Sequence, residues 1–156
     1  MKRRTFIKIG IFGSFSIGAF HNPYLYGRDC IPTHPDILGP YWSENHPHRS
    51  ILANSEEPGT RIFISGTVTS NDCETPICNA IVDVWHANDE GCYTVFQDCE
   101  SGNSDGDEHN LRGIIITDEN GYYAFESILP GYYAGRPRHF HYKITTPGGV
   151  ELVTQC

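Results

Sequence analysis

Arg61-Ile62-Phe63-Ile64-Ser65-Gly66-Thr67-Val68-Thr69 sets Ile62, Ile64, Gly66 and Val68 on one side of an extended chain and Phe63, Ser65, Thr67 and Thr69 on the other. A period of two belongs to a half-buried β-strand. Similar runs follow, and strands are expected at Ala80–His86, Ile114–Thr117, Tyr122–Ser127, Arg138–Thr145 and Glu151–Thr154. Turn residues punctuate them at Asn71-Asp72, Asn88-Asp89-Glu90-Gly91, Asp118-Glu119-Asn120-Gly121, Pro130-Gly131 and Pro147-Gly148-Gly149. No run of helical period and length interrupts the series, so the expected fold is an all-β antiparallel β-sandwich.

Upstream of this core, taken as residues 59–156, the sequence changes character. Residues 21–58 are rich in Pro, His, Asn and Ser with little periodicity, which reads as an irregular N-terminal arm laid over the core. Gly39-Pro40-Tyr41-Trp42 is the arm's aromatic landmark. Residues 1–20 open with Met1-Lys2-Arg3-Arg4-Thr5-Phe6-Ile7-Lys8, and a short apolar stretch from Ile9 to Phe20 follows. That pattern resembles a twin-arginine export signal and implies a periplasmic or extracellular destination, with membrane anchoring if it is not cleaved. The apolar stretch is far shorter than the roughly 20 residues of a membrane-spanning helix.

At 156 residues the chain is one domain with one core. Its formal net charge of -8 argues against sequence-independent nucleic-acid binding, which needs basic patches. Six cysteines suit disulfides in an exported chain. The short-loop pairs Cys73/Cys78 and Cys92/Cys99 are favoured, and the absence of a CxxC pair excludes a zinc ribbon. Asp98 to Asn110 is acidic and Gly/Ser-rich but lacks the glycine and terminal glutamate of an EF-hand, so a solvated loop is expected.

The chemistry concentrates in Tyr132-Tyr133-Ala134-Gly135-Arg136-Pro137-Arg138-His139-Phe140-His141. In an extended strand residues i and i+2 share a face, so His139 and His141 can address one ion while Phe140, Tyr142 and Ile144 face the other way. Imidazole alone suits Zn, Cu, Ni or Fe. Phenolate is a hard, charged donor, and adding it shifts the preference to Fe(III).

Four further segments join this one in order: Asn79-Ala80-Ile81-Val82-Asp83-Val84-Trp85-His86-Ala87-Asn88-Asp89-Glu90-Gly91-Cys92-Tyr93, Leu111-Arg112-Gly113, Thr117-Asp118-Glu119-Asn120-Gly121-Tyr122-Tyr123 and Pro130-Gly131-Tyr132-Tyr133. From Gly39 onward the chain resembles the intradiol ring-cleavage dioxygenases, and within them a group of exported homologues. The resemblance implies a prealbumin-like sandwich holding non-haem Fe(III) through Tyr93, Tyr133, His139 and His141. Tyr132 is the rival to Tyr133, because a slip of one residue faces the other way. Arg136 and Gln155 match the family's active-site arginine and glutamine. The implied substrates are a catechol-type aromatic and O2. The ring opens between its hydroxyl-bearing carbons to a cis,cis-muconate-type diacid, with Tyr133 leaving the metal as substrate binds. Trp85, His86, Tyr41 and Trp42 read as core or pocket wall.

The segment between Tyr133 and His139 is shorter than in the well-known family members, so their substrate preferences do not transfer. The sequence stops at Cys156, just after Gln155, which creates the expectation of an unpaired edge and a frayed Gln155. Thr117 to Tyr133 also fits transthyretin-like sandwiches, so a non-catalytic binding or structural module is the alternative. A zinc or copper site on the His-x-His strand is a third reading. Oligomeric state, a homo-oligomer included, is left open.

Overall fold

The computed structural model of the chain describes residues 30–156. The export-like segment 1–20 and the start of the arm lie outside the described residues. Six strands follow in order: β1 Arg61–Thr67, β2 Ile81–Trp85, β3 Arg112–Ile116, β4 Tyr122–Ile128, β5 His141–Thr145 and β6 Glu151–Gln155. They form a two-stranded sheet, β1-β4, and a four-stranded sheet in the order β3-β2-β5-β6. Every ladder is antiparallel, as the alternating runs predict.

Alternation decides which face is buried. In β1, Ile62 and Ile64 pack against the core while Phe63 stays 78% exposed. A slip of one residue would invert that choice. From the facing sheet, Val82 and Val84 of β2 and Tyr142 of β5 meet Phe125 of β4 in the same cluster, with Phe140 just ahead of β5. β2 is covered on both faces, because the arm lies across its outer side. There Trp42 Nε1 donates to Asp83 Oδ2 at 3.1 Å, and His46 Nδ1 lies 2.5 Å from Asp83 Oδ1.

The arm is more deeply built in than a covering layer. Ile114 N donates to Pro47 O at 2.8 Å and Arg49 N to Ile114 O at 3.2 Å. Glu126 N then donates to Ser50 O at 2.7 Å, and Leu52 N to Glu126 O at 2.9 Å. Residues 47–52 therefore stitch β3 of one sheet to β4 of the other, and Leu52 and Ala53 are buried.

Element ends shift from expectation for local reasons. Val68 and Thr69 lie past the end of β1: Val68 N still reaches Gly121 O at 2.9 Å, one step beyond the Thr67–Tyr122 pair, but Val68 O accepts from Ile77 N at 2.9 Å and Thr69 bridges to Pro76. β3 starts at Arg112, earlier than expected. β5 starts at His141, so His139 precedes the strand. Phe140 and Cys156 nevertheless exchange both backbone hydrogen bonds, at 2.8 and 3.1 Å, which extends the β5-β6 ladder. Gln155 therefore sits inside a paired strand rather than on a frayed end.

Cys92–Cys99 forms as expected, but Cys73 bonds Cys30 instead of Cys78, correcting the expected pairing. The reason is tertiary. Ile77 N is drawn in to Val68 O at 2.9 Å, leaving Cys78 exposed with a free thiol, and the arm brings Cys30 to the 70–75 turn.

Candidate metal centre

Cα partners in an antiparallel ladder point to the same face of the sheet. Arg112, Trp85, His141 and Gln155 are successive partners across β3, β2, β5 and β6, so they form one row on the sheet's arm-covered side. Trp85 stacks on His141 with ring centroids 4.8 Å apart and planes within 7°. His139, two residues before His141, places its ring 4.8 Å from it, while Phe140 and Tyr142 enter the core.

Two loops bring the phenols to this row. The turn after β2 is closed by Asn88 N to Cys92 O at 2.8 Å, and it delivers Tyr93. Gly131 N donates to Asn88 O at 2.7 Å, which draws the Tyr133 segment against that turn. The approach requires glycine on both sides. A Cβ at Gly91, where φ is +85°, would strike the Tyr132 carbonyl, and one at Gly131 would strike the Asp89 carbonyl. Beyond Tyr133, positive φ at Ala134 and Gly135 and the bond from Arg136 N to Tyr133 O at 2.8 Å make a tight reversal. This turn accommodates the short segment before His139.

The result is a cluster of two phenols and two imidazoles. The Tyr93 hydroxyl lies within hydrogen-bond distance of His141 Nε2, at 3.1 Å. The Tyr133 hydroxyl lies 3.4 Å from His139 Nε2. Ring centroids of the two tyrosines are 5.4 Å apart. Tyr93 is 1% exposed and lies under Tyr41, stacked at 4.1 Å, whereas Tyr133 is half-buried. Tyr132 is 65% exposed and carries the Arg138 guanidinium over its ring at 4.6 Å, away from the cluster.

The donor set suits a ferric ion. His139 Nδ1 donates to Pro137 O at 2.6 Å, which fixes the tautomer and leaves Nε2 as the lone-pair nitrogen. Burial, then the neighbouring His139 and Arg136, hold His141 down to about 4, so its imidazole is neutral at physiological pH. Burial, then the hydrogen bond with Tyr133, raise the Tyr93 hydroxyl well above the usual phenol range. Ionisation of Tyr93 therefore calls for a strong adjacent cation. Among the described residues no three His, Cys, Asp or Glu side chains gather, so an ion on the two histidines would take its further protein donors from phenols.

Arg136 and Gln155 complete the surroundings. Arg136 Nη2 donates to Gln155 Oε1 at 2.8 Å, and Gln155 Nε2 is buried with no protein partner. All six sequence-predicted side chains thus gather around one row of the four-stranded sheet.

A family model described as dioxygenase matches residues 37–156. The chain belongs to the intradiol ring-cleavage dioxygenase family. It is 32% identical to catechol 1,2-dioxygenase of Candida albicans over 141 residues, covering 76% of this chain and 45% of that protein. It is 30% identical to chlorocatechol 1,2-dioxygenase of Rhodococcus opacus over 143 residues, covering 76% of this chain and 53% of that one. The dioxygenase domain of a dioxygenase carbohydrate-binding protein fusion from Streptomyces sp. SirexAA-E superposes with a TM-score of 0.67 at 33% identity, covering 80% of this chain and 73% of that one. The chain spans about half the length of the curated relatives named here.

Within this intradiol dioxygenase chain, sequence reasoning missed the Asp83–His46 contact that seats the arm. Its signal was present: Asp83 is a lone carboxylate inside the apolar run Ile81-Val82-Asp83-Val84-Trp85, and a buried charge needs partners.

Proposed function

We propose that this chain holds a non-haem ferric ion through Tyr93, Tyr133, His139 and His141 and cleaves a catechol-type ring with O2 between its hydroxyl-bearing carbons. The observation that carries this reading is the meeting of both phenols with both imidazoles, at 3.1 and 3.4 Å, from the loop after β2, the turn after β4 and the start of β5. The substrate class rests on relatives named for catechol, chlorocatechol and hydroxyquinol. The product is a cis,cis-muconate-type diacid carrying both oxygen atoms of O2. The export-like segment 1–20 supports a periplasmic or extracellular site of action.

When bound, the ferric ion supplies Lewis acidity to both catechol oxygens and opens the ring to reaction with O2. The chain's own residues divide the remaining work. Buried Tyr93, pinned under Tyr41, is the fixed phenol. Half-buried Tyr133 is the phenol that can swing away, and its Oη receives one catechol proton. Arg136 directs positive charge to the substrate oxygens, where charge develops. Gln155 holds Arg136 through Oε1 and offers its unpartnered Nε2–H as a second donor. Trp85 and Tyr41 wall the cluster and keep water from it.

The test is direct. Protein from iron-replete cells should be reddish with about one iron per chain, as a tyrosinate-ligated ferric site requires. Added catechol should shift the visible band, and O2 should then convert that band into muconate-type ultraviolet absorbance. Colourless protein carrying stoichiometric zinc, with no response to catechol, would leave a non-catalytic sandwich.

A further inference from the structure

Tyr93 lies in the long loop between β2 and β3, several residues from either strand, and the part of the loop that carries it is closed on itself. Cys92 N donates to Asn88 Oδ1 at 2.7 Å. The Tyr93 carbonyl accepts from Phe96 N at 2.8 Å and Gln97 N at 2.9 Å, and Tyr93 N donates to Gln97 Oε1 at 2.8 Å. After Tyr93 the chain turns outward, and Phe96, Gln97 and Asp98 are exposed. Hydrogen bonds in so open a segment exchange readily with water and do little alone to fix a backbone. The covalent closure is the Cys92–Cys99 disulfide, whose first sulfur belongs to the residue before Tyr93.

We propose that the Cys92–Cys99 disulfide is a positioning device for Tyr93, so that metal binding by this chain depends on the oxidised form of the loop. The proposal rests on Tyr93 being a ligand, as assigned above. A dithiol reductant would supply two electrons and two protons. The Cys92–Cys99 bond would break to two thiols, the reductant would leave as its own disulfide, and the Tyr93 backbone would be released to the solvent-exposed side.

The second disulfide provides the contrast. Cys30–Cys73 spans 43 residues against 7 for Cys92–Cys99. Loop-closure entropy therefore assigns Cys30–Cys73 the larger share of overall stability. Cys30 and Cys73 flank no proposed ligand. A purely structural role for both bridges predicts effects that follow loop length. The positioning role predicts that the shorter bridge matters more at the metal.

The experiment compares the double variant Cys92→Ser/Cys99→Ser with Cys30→Ser/Cys73→Ser. In protein stripped of metal, amide hydrogen exchange at Phe96 and Gln97 should rise roughly tenfold or more in the first variant, with β2 and β5 amides unchanged. Ferric titration followed by visible absorbance should show roughly tenfold weaker binding in the same variant. The Cys30→Ser/Cys73→Ser variant should show the larger fall in melting temperature, with exchange at Phe96 and Gln97 and ferric affinity at wild-type levels. Unchanged exchange at Phe96 and Gln97, or equal loss of ferric affinity in both variants, overturns the proposal. If wild-type protein binds no ferric ion, the proposed function falls and the exchange measurement still decides whether the bridge fixes the Tyr93 backbone.

Discussion

Arg136 and Gln155, 19 residues apart, are joined side chain to side chain, Nη2 to Oε1 at 2.8 Å. Gln155 is the ladder partner of His141, so this bond ties the turn that carries Arg136 to the row that carries a proposed ligand. Arg136 is thereby held beside the proposed iron-binding cluster without belonging to it.

That placement separates catalysis from metal binding. Removing one preorganised donor from a site of developing charge costs roughly 10²–10³ in rate. Arg136→Ala should therefore retain iron and colour while turnover falls by about that factor. Iron content and kcat measured on the same preparation decide it. Parallel loss of iron and activity would make Arg136 part of the scaffold.

The burial of the tyrosines separates the two proposed ligands from Tyr132. Tyr93→Phe and Tyr133→Phe should each alter the tyrosinate-to-iron band, whereas Tyr132→Phe should not, because Tyr132 is exposed beneath Arg138. Visible spectra of the three variants at equal iron loading provide the comparison. A band that changes only in Tyr132→Phe would move the second ligand by one position.

His86, buried beside Phe140, gives the fold a pH dependence of its own. Its Nδ1 donates to Ala87 O at 2.7 Å and its Nε2 accepts from Ser127 Oγ at 2.7 Å, so the ring is neutral and both nitrogens are engaged. Burial lowers its pKa from 6.5 to about 3. The unfolded chain then binds a proton that the folded chain refuses, so stability is full above 6.5 and declines as pH falls towards 3. At pH 5 the loss from this group is about 2 kcal/mol. Urea unfolding of wild type and His86→Gln at pH 7 and pH 5 should show a shallower decline in the variant. Equal declines would assign the acid sensitivity to other groups.

Much of this arrangement is legible before folding, because period-two runs fix which side chains share a face. His139 with His141, and Phe140 with Tyr142, follow directly from that rule. Tyr93 and Tyr133 do not: no local pattern shows that Gly91 and Gly131 let two distant turns touch. The family resemblance supplied that pairing, and the glycine contacts give its physical reason. The Cys30–Cys73 bridge was illegible for a similar cause. Cys73 and Cys78 are near in sequence, but the inward pull on Ile77 and the return of the arm decide the partner. The arm hid the most, since segments without periodicity give no sign of contributing Leu52 to the core or His46 to Asp83.

The His46–Asp83 contact carries the last prediction, because it links the arm's anchoring to the site. Asp83 Oδ1 is 2.5 Å from His46 Nδ1, and Ser43 Oγ is hydrogen-bonded with His46 Nε2 at 2.9 Å. Just upstream, Tyr41 stacks on Tyr93, and the Tyr41 carbonyl accepts from the buried Arg112 Nη1 at 2.7 Å. His46→Ala leaves a buried carboxylate oxygen without its partner, at a cost of about 3 kcal/mol. It also frees the arm segment that holds Tyr41 over Tyr93. Asp83→Asn keeps the shape and can still engage both His46 and Trp42, so it should cost less. Denaturant unfolding should rank His46→Ala below Asp83→Asn, and only His46→Ala should broaden or shift the iron band. The opposite ranking would mean that Trp42 and the arm's backbone bonds seat the arm without His46.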